Sequence, residues 1–397
     1  MPNRRKLTKS PHVPHVALLV ETSLASGREI LRGVAQYVRE QGPWSLFHSP
    51  RGLEESVPRW LSTWKGDGVI ARITHPALAK MLQKLNVPVV DVLGLVADAG
   101  LPLVHVDDGE IARRAFSHFS QRGFRRFAYV GFAGENWSER RGETFLGEAR
   151  KHDAAAATFE MTRAEIESTP WEDRQDRLAK WLLALPKPVG LMVCSDQRGP
   201  DVLEACRRVG IQVPDEISIV GVDNDEPLCE VCNPPLSSVW PNHLGVGYEA
   251  AALLHRLMQG ETPPEEPRLV VPRGLVTRQS SDVLAVGDPL VAAALRLIRE
   301  EACAGISVDQ IAQRVGASRS VLQRRFSGLL NQTIHDHLIE QRIKRAIELI
   351  SNTGLPMLEI AERCGFKHQE YMGAVFRERC GKTPSQFRVQ HRSAAGR

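Results

Sequence analysis

The chain has 397 residues, more than one hydrophobic core ordinarily serves, so two or more domains are expected. Hydrophobic side chains make up 42% and charged ones 25%, the proportions of an ordinary globular protein, and no run of about 20 apolar residues is present, which argues against a disordered chain and against a membrane-spanning one. The net charge of +4 is unevenly spread: residues 287–397 hold 17 basic and 11 acidic side chains against 34 and 36 in the rest, so the C-terminal segment alone has the excess that suits a polyanion partner.

Residues 1–14 read as a short basic tail carrying Arg4, Arg5, Lys6 and Lys9. The apolar run that follows is ended by Glu21 and has no small-residue cleavage site after it, so a secretory signal is not expected. Seven cysteines, at 194, 206, 229, 232, 303, 364 and 380, are odd in number and dispersed, the usage of reduced thiols in a cytoplasmic protein.

From residue 16 to about 276, short apolar runs alternate with amphipathic stretches. VALLV (16–20) precedes a helical pattern over 30–39, and GVIA (68–71) precedes one over 77–85. VPVVDVL (87–93), a helical pattern over 111–119 and FAYVG (127–131) follow, then VGLMVCS (189–195), 201–209, ISIVGVD (217–223) and 244–258. Apolar runs of four to seven residues followed by helix-period stretches mark a parallel, doubly wound sheet covered on both faces, so the fold class of 15–280 is α/β.

Several runs end in polar residues where the chain would leave the sheet: Glu21, Asp91, Asp107, Ser195 with Asp196, and Asp223. In such folds a polar small molecule is held outside the carboxyl ends of the strands. Ser and Asp after a strand also cap the next helix, and each taken alone reads equally well as a cap; as a set they favour a ligand.

Prolines 263, 264, 267, 272 and 289 and the polar stretch 278–282 change the composition over 261–289, and the alternation of strands stops there. A linker over 281–289 is expected, with an all-α domain over 290–397. Within it Ile311-Ala-Gln-Arg-Val-Gly316 recurs 49 residues later as Ile360-Ala-Glu-Arg-Cys-Gly365. Each copy is an amphipathic helix, a glycine turn and a second helix ending on Phe326 or Phe376, the anatomy of a helix-turn-helix near 307–327 and again near 357–377. Ser307-Val-Asp-Gln310 is a capping box that starts the first.

After Gly316 the second helix of the first copy starts at about Ser318, with Leu322 and Phe326 on one face and Ser320, Gln323 and Arg324 on another. Such side chains can hydrogen-bond base edges and phosphates, Gln and Arg bidentately, although an exposed helix is polar in any case. Between the copies, residues 333–350 form one helical pattern with an apolar stripe of Ile334, Leu338, Ile343, Ala346, Ile347 and Ile350. A helix of that length spaces two heads by roughly 25–30 Å, close to one turn of duplex DNA.

Arg342-x3-Ala346-x2-Leu349, Ile360-Ala361-x3-Gly365-Phe366, Tyr371, Phe376-Arg377 and Gly381-x2-Pro384-x2-Phe387-Arg388 resemble the signature of the AraC family of transcription regulators. That resemblance implicates Ser318, Arg319, Ser320, Gln323 and Arg324 of the first head, and Lys367, His368, Gln369 and Glu370 of the second, in contact with double-stranded operator DNA. The second head has Gly373 and Ala374 where relatives often place a polar and a basic residue, which weights base readout toward the first.

Val106-Asp-Asp108-Gly, Arg141-x3-Phe145, Ser195-Asp196-Gln197, the stretch Val213 to Asp223 and Pro234-Pro-Leu-Ser-Ser-Val239 are similar to the sugar-binding core of LacI-type regulators and periplasmic binding proteins, a two-lobed α/β fold. An AraC-type C-terminus on a LacI-type core is the arrangement of bacterial xylose-operon regulators. It implies a sugar effector, D-xylose first, with no cofactor and no metal, a homodimer, RNA polymerase as a further partner of an activator, and no membrane. Carried over residue by residue, Arg28, Asp108, Arg141, Ser195, Asp196, Asp223 and Trp240 would line the sugar cleft. Trp137 or Trp240 would stack on the ring.

Other chemistry finds little support. Cys229-x2-Cys232 has metal-ligand spacing without a second pair, and neither a HExxH pattern, a GxSxG motif, a Walker loop nor a GxGxxG after a strand is present. No catalytic residue is expected. The alternative from another class, a sugar-binding transport component with a helical appendage, would call for a signal peptide.

Overall fold

The computed structural model describes residues 12–48, 58–96, 99–152, 154–283, 285, 286 and 288–395, and the chain divides into two units, Met1–Leu284 and Ala285–Arg397. The basic side chains of the expected N-terminal tail, Arg4 to Lys9, lie outside the described residues.

The first unit runs β1 (His15–Leu19), α1 (Ala25–Gln41), β2 (Ser45–His48), β3 (Gly68–Ala71), α2 (Pro76–Gln83), β4 (Val89–Asp91), β5 (Val104–Val106), α3 (Asp108–Gln121) and β6 (Arg126–Phe132). It continues with α4 (Asn136–Lys151), β7 (Ala155–Met161), α5 (Arg163–Ser168), α6 (Trp171–Ala184), β8 (Val189–Val193), α7 (Gly199–Arg208), β9 (Ile217–Val222), α8 (Glu226–Val231), β10 (Ser237–Trp240), α9 (His243–Met258), β11 (Arg268–Val270) and β12 (Gly274–Val276).

Two sheets result. The first is parallel, in the order β2-β1-β3-β4, and a bridge between Asp91 and Leu103 carries it on to the parallel pair β5 and β11. The second has the order β12-β10-β9-β8-β6-β7, parallel except for β12. Every residue of β3, β8 and β9 is buried, because helices cover both faces and the strands can be apolar throughout. On the first sheet α1 and α9 lie in backbone contact: a Cβ built on Gly33 would stand 2.0 Å from the Leu244 carbonyl oxygen, and one on Gly247 would stand 2.0 Å from that of Ile30.

The chain crosses between the sheets three times, from β5 into α3, from β10 into α9 and from β11 into β12. Each sheet with its helices is therefore a lobe, and the carboxyl ends of β1, β3 and β5 in one lobe and of β6, β8 and β9 in the other border the same cleft.

The second unit consists of α10 (Pro289–Glu301), α11 (Val308–Arg314), α12 (Arg319–Leu330), α13 (Ile334–Asn352), α14 (Met357–Arg363), α15 (Gln369–Cys380) and α16 (Pro384–Ala395). Side-chain caps start α10 from Asp288, α11 from Ser307 with its reciprocal partner Gln310, α12 from Ser318, α13 from Thr333 with Asp336 and α16 from Thr383 with Gln386. At the two tight turns Gly316 and Gly365 adopt φ +71° and +75°, which an L side chain avoids. Helix α13 serves two cores: Ile334 and Leu338 pack with Ile311, Leu322 and Phe326, whereas Ile339, Ile343 and Ile350 pack with Ile360, Met372 and Phe376. At 1.5 Å per residue its 19 residues extend about 28 Å.

Candidate functional site

The cleft between the lobes of the first unit holds a cavity of about 380 Å³, within the range of small-molecule sites. Its walls join charged and hydroxyl side chains to an apolar patch of Leu24, Leu93, Leu95, Leu228 and Trp137.

Arg141, on α4, is the centre of the polar side. Its Nε donates to Asp108 Oδ1 at 2.8 Å and its Nη1 to the Cys194 carbonyl at 2.7 Å, which fixes the plane of the guanidinium, and the Trp137 ring lies 4.9 Å from it. Asp108 is buried behind Arg141 and also takes two hydrogen bonds from Arg140, at 3.1 and 2.8 Å. Burial is the largest influence and opposes its ionisation, but the surrounding groups, Arg141 foremost with Arg140 behind it, together outweigh that and hold the carboxyl below the usual range. His105, 3.7 Å from Asp108, is buried on the other side; burial pulls it down to about 4, so it is neutral at physiological pH.

Asp196 follows β8 and receives Ser238 Oγ at 2.7 Å, the Asp225 N–H at 2.9 Å and Cys229 Sγ at 3.3 Å. Despite these donors, burial and then the neighbouring Asp223 push its carboxyl up to about 8. Asp223 itself sits at φ +113° just past β9, with Asn224 at φ +50°, so the backbone turns sharply and leaves the Asp223 side chain against the cavity, 3.4 Å from His243 Nε2. Ser195 Oγ is buried in the cleft wall and makes no oxygen or nitrogen hydrogen bond among the described residues.

The raised Asp196 has a measurable consequence. Between about pH 6.5 and 8 the folded first unit keeps a proton on Asp196 that the unfolded chain, near its ordinary 3.8, has already lost. Stability from this group is complete below the unfolded value and drains away as pH rises toward 8, with a slope on the order of 1 kcal/mol per pH unit. Chemical denaturation at pH 6.5 and 8 should show this decline in the wild-type chain, and Asp196→Asn should flatten it.

Of the eight residues expected in the cleft, Trp137, Arg141, Ser195, Asp196 and Asp223 line it, while three stand elsewhere. Arg28 is exposed and donates Nη1 to the Thr22 and Ser23 carbonyls, bracing the loop before α1. Trp240 is 37% exposed and stacked by Arg273 at 4.8 Å, because it ends β10 on the outer side. Asp108 lies behind the wall, where it acts on Arg141.

The structure also brings in Arg72, which pairs with Glu21 and bonds Ser26 Oγ at 3.0 Å, together with Glu135, Arg163 and His243. Arg72 follows β3 at a strand end, the signal already used for the acidic residues, and a search that admitted basic ones would have found it. Asp107 caps α3, accepting the Glu110 N–H at 2.8 Å, and Asp91 braces the loops after β4 and β3, accepting the N–H groups of Leu93, Gly94 and Ile73.

In the second unit Ser320 and Arg324 are exposed on α12, and Lys367, His368, Gln369 and Glu370 are exposed at the start of α15. Ser318 is the cap of α12, and Arg319 pairs with Asp309 at 3.1 Å. Gln323 departs from expectation: it is half-buried, donates to Ser327 Oγ at 2.8 Å and accepts the Ile334 N–H at 3.4 Å. Facing the start of α13, it ties two helices together and is not free on the polar face. Arg342 and Arg388, both in the repeat-region signature, donate to the carbonyls of Ala302 and Ile306 and of Leu355.

Family models match along the chain: the XylR N-terminal domain at residues 15–104, the periplasmic binding protein-like domain at 116–281 and a helix-turn-helix domain at 311–390. The chain is 32% identical over 383 residues to the xylose operon regulatory protein of Escherichia coli (strain K12), covering 94% of this chain and 96% of that protein. It is 31% identical to the protein of the same description from Haemophilus influenzae, covering 94% and 98%. A solved structure described as the xylose-binding transcription activator xylR superposes with a TM-score of 0.76 at 31% identity, over 96% of this chain and 98% of that one.

Proposed function

The chain belongs to the xylose operon regulatory protein family, and from that premise we propose that it is a sugar-responsive, DNA-binding regulator of xylose genes, whose effector is D-xylose bound in the cleft. The observation that carries the reading is the anchored Arg141. With Nε held by Asp108 and Nη1 by the Cys194 carbonyl, Nη2 is the nitrogen left to donate to a ligand hydroxyl. Asp223 accepts from the sugar's hydroxyls, and Ser195 Oγ, in the cleft wall, offers a further hydroxyl to them. Asp196, holding its proton at neutral pH, can donate as well as accept, and neutral His105 adds no charge that an uncharged sugar would leave uncompensated. Trp137 offers an apolar face to the C–H side of the ring.

Residues from both lobes meet at the cavity, so a sugar gripped by both favours one relative setting of the lobes. It acts only through its difference in affinity between settings. The DNA-binding residues are Ser320 and Arg324 of α12, with Ser318 and Arg319 at its start, supported by Lys367, His368, Gln369 and Glu370 of α15. The working form is a cytoplasmic homodimer on double-stranded operator DNA, acting as an activator with RNA polymerase as its further partner. No protein-bound cofactor and no catalysis are part of this reading, which is that of a family of regulators.

Calorimetry of the full chain against D-xylose, L-arabinose, D-ribose and D-glucose tests the ligand assignment. D-xylose should bind at least about tenfold more tightly than the others, a difference of roughly 1.4 kcal/mol. Equal affinity for all four, or no heat with D-xylose, would refute it.

A further inference from the structure

Asp223 lines the cavity just past β9, and the next residue, Asn224, is bonded on two sides. Its N–H donates to Ser238 Oγ at 2.9 Å, and that hydroxyl lies 2.7 Å from Asp196 Oδ1, so residue 224 stands between the two cleft carboxylates. Its side-chain Oδ1 accepts Arg278 Nη2 at 2.9 Å.

Arg278 belongs to the segment by which the chain leaves the sensor after β12. The same guanidinium donates Nη1 to the Leu236 carbonyl at 3.0 Å, and the Arg278 backbone is bonded both ways to Ser237 Oγ, at 2.7 and 2.9 Å. Immediately beyond, Ser280 Oγ donates to the Ile219 carbonyl at 2.7 Å and receives the Ser237 N–H at 2.8 Å, and Ser281 Oγ shares a 2.8 Å hydrogen bond with His118. Ser280 and Ser281 are fully buried. This exit strap is thus fastened to β9 and β10, and Arg278 joins it by a side-chain bond to Asn224, next to the cleft residue Asp223.

We propose that Arg278 couples the sugar site to the exit strap: it restrains the Asp223–Asn224 turn from the Asn224 side and, through the same fork, passes the loading of Asp223 to the strap that leads to the DNA-binding unit. The inference rests on the reading of the cleft as a xylose site. Two consecutive non-glycine residues at positive φ do not hold that shape by local preference, although Asn tolerates it better than most. An arginine with two fixed acceptors supplies the restraint. When a sugar hydroxyl takes up Asp223, any rotation of the turn moves Asn224 Oδ1 against a guanidinium fixed on Leu236, and the strap must follow.

Asn224→Gly separates this role from folding, because glycine accepts φ +50° without strain while removing the acceptor of Arg278. In the full chain, D-xylose should still bind with an affinity within about tenfold of wild type by calorimetry. The ratio of operator affinities with and without D-xylose, expected between about 5 and 150 for ordinary allosteric coupling, should collapse to within about twofold of one. Hydrogen exchange of the amides 279–283 should respond to D-xylose in the wild-type chain and not in the variant. Should Asn224→Gly fail to fold, Arg278→Lys, which keeps the charge but loses the two-armed fork, is expected to show the same loss of coupling. A folded variant that binds D-xylose and keeps the wild-type ratio overturns the proposal. A wild-type chain that binds no D-xylose overturns instead the reading of the cleft on which it rests.

Discussion

Asp108→Ala is expected to lower the stability of the sensor by about 3–5 kcal/mol, the cost of breaking a buried ion pair by removing one partner, and to weaken D-xylose binding by at least about tenfold. Asp108 is buried and accepts from both Arg140 and Arg141, whereas Arg141 is itself buried, with the Cys194 carbonyl as its other hydrogen-bond acceptor among the described residues. Without the carboxylate a full positive charge remains in the interior, its plane no longer fixed, and it faces the cavity where the sugar must lie. Two penalties therefore coincide, desolvation of an uncompensated charge and loss of the aligned donor, the latter a charge-assisted hydrogen bond of about 1.5–3 kcal/mol. Asp108→Asn separates them. It keeps an acceptor near Arg141 Nε and so preserves part of the alignment, but removes the charge, and should fall between wild type and Asp108→Ala on both measures. Urea denaturation and calorimetry against D-xylose read the two quantities independently. Wild-type stability and affinity in Asp108→Ala would show that Arg141 does not depend on its partner.

The other large effect is expected at Arg324. Replacing it with alanine should reduce operator affinity by about 5- to 150-fold, the equivalent of one bidentate base contact at about 1–3 kcal/mol, and leave D-xylose binding unchanged. The side chain is exposed on α12, whose apolar face, Leu322 and Phe326, is buried in the first helical core. Base contact and phosphate contact give different results. Loss of a base contact relaxes discrimination at one operator position, whereas loss of a phosphate contact weakens all sequences alike and reduces the salt dependence by about one counterion. Gln323→Ala makes the contrast: since Gln323 bonds Ser327 and the first amide of α13, its loss should destabilise the helical unit without altering sequence preference. Fluorescence anisotropy on operator and scrambled duplexes across a salt series distinguishes these outcomes.

The architecture was legible because it rests on periodicity. The buried strands β3, β8 and β9 are continuous apolar runs, and the caps of α11 and α12 are written in Ser307, Gln310 and Ser318. What escaped is short or at an edge. β5, β11 and β12 have three residues each, too few for any period to show, and β7, reading Ala-Ala-Ala-Thr-Phe-Glu-Met over 155–161, is an edge strand whose Ala-rich start is exposed. At the site, strand-end position found Ser195, Asp196 and Asp223 but could not tell a ligand-facing carboxylate from the loop-bracing Asp91 or the helix cap Asp107, because all need the same residue type at the same place. Arg28, Trp240 and Gln323 went astray because their residue types suit ligand contact while the direction of each side chain is set by its partners: the Thr22 and Ser23 carbonyls for Arg28, Arg273 for Trp240, and Ser327 and Ile334 for Gln323.

The central claim is that a sugar in the cleft of the first unit alters DNA binding by the second. It is tested most directly by titrating a promoter duplex of the xylose genes with the full chain at fixed salt, with and without saturating D-xylose. The account predicts that D-xylose changes the dissociation constant by about 5- to 150-fold, and that Arg141→Met, lacking the aligned donor, abolishes the change. Identical constants in the presence and absence of D-xylose, in a chain shown by calorimetry to bind it, would contradict the account.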